Sequence, residues 1–222
     1  MKKIFAVLFL QGALLCSSAQ AQDDIAELNR QSLIAVRTAN LPTLRKLMDQ
    51  GAAINTRNRF GDSLLMTAIK SGSEETVDYL LSRGPDVNLA NVSRVTPLMA
   101  AAYSGNAALA QRLLERQADP MASDQLRKTA MVYAAGGGHV KVVELLLAHG
   151  VGVNARYAND LTALMWAAGN GHAETVRLLL ASGADGKLAD NRGKSALQMA
   201  LDGGHKEAAA LLEQQASAGK AL

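Results

Sequence analysis

Cysteine is almost missing from this chain: Cys16 is its only one in 222 residues. That excludes a disulfide framework, an iron–sulfur cluster and a cysteine-rich zinc site. Aromatic residues make up only 4% and prolines number four, so one bulky ring-filled core is not on offer. The abundance of Ala and Leu points instead to thin layers of small helices. Charge of one sign is scarce too. Lysine plus arginine total 23 against 20 acids, a net charge of +3 with no block of like charge, which speaks against a nucleic-acid footprint. At 49% hydrophobic, the chain is nevertheless too apolar for a disordered tail.

The start of the chain has its own character. Lys2 and Lys3 precede an apolar run from Ile4 to Leu15, broken only by Gln11 and Gly12. Ser17, Ser18, Ala19, Gln20 and Ala21 follow, then the polar Gln22, Asp23 and Asp24. A basic start, a short apolar middle and Ala-x-Ala read as a secretory signal peptide over 1–21, cut after Ala21. The run is shorter than the roughly 20 residues a membrane-spanning helix needs, so an uncleaved anchor is the weaker reading. Lipidation of Cys16 is disfavoured by Leu15, which stands where a small residue is required. Cleavage would remove the only thiol, which suits an oxidising compartment. The expected location is the periplasm, without stable membrane insertion after cleavage.

What the sequence does have is a period. Ser63, Thr96, Thr129, Thr162 and Ser195 are 33 residues apart, as are Gly72, Gly105, Gly138, Gly171 and Gly204. Leu47, Leu80, Leu113, Leu146, Leu179 and Leu212 keep the same interval. In each copy a Ser or Thr is placed to cap a helix start, and Pro97 follows Thr96 at the first helical position. A small apolar helix leads to a terminating glycine, then a second helix, as over 140–148, and a polar, turn-rich stretch. One such unit cannot bury its own apolar face, so copies must stack.

The segments TPLMAAAYSGN (96–106), GGHVKVVELLLAHG (137–150) and TALMWAAGNGHAETVRLLLASGAD (162–185) resemble ankyrin repeats. The resemblance implies an all-α solenoid of helix–turn–helix units with hairpin-like turns. Five full copies are expected at about 58–90, 91–123, 124–156, 157–189 and 190–215, after a degenerate cap copy at about 24–57. In that cap copy Arg30 replaces the Ser/Thr, and Ile25, Leu28, Leu33, Ile34 and Val36 form an apolar side. Residues 216–222 are expected to fray. Departures cluster mid-chain: Arg94, Arg127 and Asp160 replace the turn glycine kept at Gly61 and Gly193, and Gln117 replaces a helix-ending glycine. With Gly136, Gly137 and Gly138 in a row, 115–138 is the expected weakest layer.

Chemistry is thinly signalled. His139, His172 and His205 recur at the period, but stacked helices about 8–10 Å apart cannot converge on one ion with ligands at about 2 Å. They read as structural, and His149 as a helix-end cation. Met66, Met99 and Met165 read as core filler rather than metal or haem ligands. There is no GxSxG, P-loop, GxGxxG or HExxH. No catalytic residue, metal or cofactor is expected.

The resemblance also implies a concave groove made of turn tips and the inner sides of the first helices. Carried over by position, it comprises Arg59, Phe60, Asp62 and Lys70, then Val92, Arg94, Val95 and Tyr103. Gln125, Leu126, Arg127 and Lys128 follow, then Tyr157, Asn159, Leu161, Trp166 and Arg192. For Tyr157 and Trp166 the alternative is merely covering layer edges. The groove is mildly basic and suits an acidic or mixed-charge protein surface. The expectation is therefore a monomeric, non-catalytic protein-binding module exported to the periplasm, serving as scaffold, inhibitor or protective factor. A secreted effector acting on host proteins is the alternative, and an enzyme with an unrecognised site the remote one.

Overall fold

The computed structural model describes residues 22–218. The expected signal segment 1–21, with Cys16, lies outside the described residues, as do 219–222. The chain divides into two compact units, Met1–Asp86 and Val87–Leu222.

The first unit holds α1 (22–37), α2 (Leu41–Asp49), α3 (Leu64–Ser71) and α4 (Glu74–Ser82). The second holds α5 (Pro97–Ser104), α6 (Ala107–Leu114), α7 (Ala130–Gly136), α8 (Val140–Ala148), α9 (Ala163–Gly169), α10 (Ala173–Ala181), α11 (Ala196–Asp202) and α12 (Lys206–Ala218). In the second unit α5, α7, α9 and α11 pack in succession, and α6, α8, α10 and α12 form a second row behind them. Among the described residues there is no strand; antiparallel bridges Arg57–Ser63 and Ala189–Ser195 close two of the hairpin-like turns. The fold is the expected all-helical repeat solenoid.

The periodic residues explain each layer. Leu98, Met99, Leu113, Met131, Leu146, Leu164 and Met165 are all but inaccessible, each worth about 1.5–3 kcal/mol of burial. Met66, Met99 and Met165 are thus core side chains, as expected. Ser63, Thr96, Thr162 and Ser195 accept the backbone N–H three residues on, at 3.1–3.3 Å. Thr129 corrects the expectation for its slot: it begins α7, but its hydroxyl makes no cap bond and is buried without a partner. The Tyr157 side chain of the following copy lies beside it, close to but outside hydrogen-bond geometry.

The turns before α3, α5, α7 and α11 share one device. Asn58, Asn91, Asp124 and Asp190 each accept two backbone N–H groups, two and four residues ahead, through Oδ1. Tyr157 occupies the same slot before α9 and cannot do this. There the chain makes a 3₁₀ turn, Ala158–Asp160, with Asn159 and Asp160 both left-handed at φ 61° and 60°. Arg94, Arg127 and Gln117, which replace glycine, also take positive φ, at 62°, 57° and 64°.

The histidines prove structural, each in a specific way. His139, His172 and His205 donate from Nε2 to the backbone carbonyls of Tyr103, Gly136 and Gly169, at 3.0, 2.9 and 3.1 Å. Each thus satisfies a helix-end carbonyl one repeat back, which no intrahelical bond would reach. His149 ends α8 with Nδ1 on the Leu145 carbonyl at 2.8 Å.

One expectation at the start of the chain needs correction. With no cap at Arg30, α1 runs on through that slot. Its buried side is Ser32, Ala35 and Val36, while Ile25 and Ile34 are exposed. Ile34 lies nearly opposite Ser32 around the helix, so it faces away from the layer behind. At the other end α12 runs to Ala218, and the remainder of the tail expected to fray, 219–222, lies outside the described residues.

Candidate functional site

In the second unit one helical slot decides the shape of the inner face. Tyr103, Gly136, Gly169 and Asp202 share it, the last residues of α5, α7, α9 and α11 or next to last. Where Gly136 offers no side chain, a small cavity of about 200 Å³ opens, walled by Tyr103, Lys128, Val132, Tyr133, Gly137, Trp166 and Asn170.

The Tyr103 ring stands edge-on to Tyr133, centroids 5.8 Å apart at 87°, the geometry the ring quadrupoles favour. Lys128 Nζ lies 5.7 Å from the Tyr133 ring and 5.4 Å from the Trp166 ring, within reach of a cation–π attraction to both. Tyr133 donates its hydroxyl to Asp124 Oδ2 at 2.6 Å, so the turn carboxylate that shapes the backbone also orients the ring. Burial pushes the Tyr133 phenol well above its usual pKa, and the Asp124 carboxylate adds to that. The Trp166 Nε1 is buried without a partner. A second recess of about 410 Å³ lies between α9 and α11, sharing the Trp166 wall and reaching Leu161, Arg192 and Lys194.

Charges at this slot are answered within the chain. Lys194 bonds Asp202 at 2.6 Å and Gln198 bonds it at 2.7 Å, which hold the Asp202 carboxyl below its usual pKa, Lys194 most of all. In the first unit the same two slots carry the pair with its charges exchanged, Lys70 on Asp62 at 2.7 Å.

The structure brings together three expected residues, Tyr103, Lys128 and Trp166. Leu161 and Arg192 join Trp166 at the second recess. Val92, Arg94, Gln125, Leu126, Arg127 and Asn159 stand exposed at turn tips, with Val95 half-buried. Gln125 ties two tips together, its backbone N–H on the Ser93 carbonyl at 3.1 Å and its amide on the Val92 carbonyl at 2.8 Å. Arg59, Phe60 and Lys70 are exposed in the first unit. Two residues depart from the expected placement. Asp62 is buried and engaged by Lys70, so its carboxylate is not offered to a visitor. Tyr157 turns its hydroxyl inward toward Thr129, and burial pushes that phenol up to about 12.

Sequence reasoning missed Tyr133. Its signal was present, since Tyr133 stands one period before Trp166 and both begin the same helical side. The periodic histidines are all spent on carbonyls, and no three His, Cys, Asp or Glu side chains gather into a metal-holding group among the described residues.

The profile of the family described as ankyrin repeats (3 copies) matches residues 32–124 and 131–220. Comparison with curated proteins finds no match.

Proposed function

Because the chain belongs to the ankyrin-repeat family, a family of protein–protein interaction modules, we propose that it works by binding a partner protein in the periplasm through the inner side of its second unit. One observation carries this reading: Tyr103 is 72% exposed at the rim of an aromatic cluster that Lys128 and Asp124 already hold in place. Exposed rings cost little to order when they are prefixed, and aromatic and arginine residues dominate interface energies. Val92 and Leu126, 59% and 68% exposed, extend the apolar area at the turn tips. Arg94 and Arg127 flank them with positive charge. The role is surface complementarity on a rigid scaffold, without a chemical step, and suits a scaffold, an inhibitor or a protective factor for an exported enzyme.

Export is supported by the basic start, short apolar run and Ala-x-Ala of 1–21. Fractionation tests it: recovery in the periplasm supports the reading, and recovery in the culture supernatant or in host cytosol favours an effector instead. Pull-down with the exported chain is expected to capture one dominant protein, weakened by Arg94→Ala with Tyr103→Ala. Capture unchanged by both substitutions would show that the inner side is assigned wrongly.

A further inference from the structure

The first unit carries a recess of different chemistry. The outward side of α1 and the turn before α3 enclose about 840 Å³. Arg30, Arg37, Arg57 and Arg59 stand around it, and no aspartate or glutamate lines it. Glu27, outside the recess, answers Arg30 at 2.6 Å, and Arg57 Nε donates to the Gly61 carbonyl at 2.9 Å. Arg37 and Arg59 make no ion pair among the described residues. Between them lie two apolar side chains that a folded monomer would rather cover: Ile34 at 39% and Phe60 at 54% exposure. The Arg59 guanidinium sits 4.7 Å from the Phe60 ring centroid, so cation and ring present themselves as one surface.

Arg37 and Arg59, two like charges without an ion-pair partner among the described residues, around a concavity with no carboxylate in its wall, concentrate a positive potential there. A guanidinium fork matches a carboxylate with two parallel hydrogen bonds. A nucleic-acid backbone would use the arginines but leave Ile34 uncovered, whereas a polypeptide carrying acids beside an apolar residue uses both. Resting on the reading of this chain as a protein-binding module, we propose that the recess receives an acidic segment of the partner protein. Its carboxylates pair with Arg37 and Arg59, and one apolar side chain lies against Ile34 and Phe60.

Fluorescence anisotropy on the purified full chain tests this. The probe is a short labelled peptide of Asp, Glu and Ser around one Leu. Its controls are the same peptide with Asn and Gln for the acids, and a duplex oligonucleotide. The acidic peptide is expected to bind, and to bind about ten-fold more weakly both as the carboxamide version and to an Arg37→Gln, Arg59→Gln chain, the scale of losing buried arginine contacts. Arg37→Glu with Arg59→Glu is expected to reverse the preference toward a lysine-containing peptide, which separates charge recognition from loss of fold. Tyr103→Ala is expected to leave peptide binding unchanged. No binding of the acidic peptide, equal binding by the carboxamide peptide or the double-Gln chain, or displacement by the oligonucleotide would overturn the proposal. Partner capture unaffected by Tyr103→Ala, with peptide binding intact, would instead sink only the inner-face reading.

Discussion

The imidazole of His172 donates from Nε2 to the carbonyl of Gly136 at 2.9 Å, and its ring occupies the space a β-carbon on Gly138 would need, 2.5 Å from its Nδ1. Gly138 is therefore fixed twice, by its left-handed φ of 73° and by its neighbour. Gly72 has the same φ, 71°, and open space. Alanine at either position carries the left-handed cost of about 1–2 kcal/mol. Gly138→Ala is expected to lose about 1–3 kcal/mol more from overpacking. That excess should vanish in a His172→Ala background, measured as a coupling energy by urea unfolding. Equal costs at Gly72 and Gly138, with no coupling to His172, would contradict the contact.

The cap slots give a sharper contrast. Thr162→Val and Thr96→Val are expected to lower stability by about 1 kcal/mol each, as helix caps do. Thr129→Val should be neutral or stabilising, because its hydroxyl is buried and unpaired. Thermal unfolding of the three variants side by side decides the matter; a loss at Thr129 equal to the other two would restore its role as a cap.

Much of this was legible in the sequence because it repeats. Ser63, Thr96, Thr162 and Ser195, the glycines and the buried leucines all follow from the period and the handedness of helix ends. What stayed hidden depends on the layer next door. Thr129 loses its cap beside Tyr157, Asp62 is buried by a lysine eight residues on, and the histidines reach back across a repeat. Ile34 points outward because it stands nearly opposite Ser32 on α1, whose buried side is Ser32, Ala35 and Val36. Tyr133 was readable and was overlooked.

The weakness expected around 115–138 acquires a cause. Asn55, Asn88 and Asn154 each accept the backbone N–H of the residue one repeat less two further on, Asp86, Asp119 and Asp185, at 2.8–2.9 Å. Met121 holds that slot in the remaining copy and is 53% exposed. Amide exchange is expected to be fastest within 115–138 among the full repeats. Met121→Asn should restore the brace to Gly152 N–H and add about 1 kcal/mol. Slow exchange there, or no gain from Met121→Asn, would count against this cause.

Acid should weaken the last turn. The Asp190 carboxylate accepts from the Lys194 and Arg192 backbones at 2.8 and 2.9 Å and pairs with the Arg192 side chain. These hold its pKa below the usual value, the Lys194 N–H foremost. A carboxyl with a depressed folded pKa adds stability that is present above its unfolded pKa, about 4, and is lost as pH falls through the folded value. Glu27, held at about 2 chiefly by its hydrogen bonds from Arg30, acts in the same sense. Urea midpoints should therefore hold near neutral pH and drop below about pH 4. Asp190→Asn should fold normally at neutral pH, since Asn58 and Asn91 build the same turn, and should show a shallower acid loss. An unchanged pH profile in that variant would rule Asp190 out as a source.

The most direct test of the central claim places a photo-crosslinking amino acid at Tyr103, at Leu126, or at the outer, exposed Glu144 of α8, in living cells. The account predicts one discrete adduct with the same protein from Tyr103 and Leu126, and none from Glu144. Adducts of equal yield from all three positions, or from Glu144 alone, would contradict it.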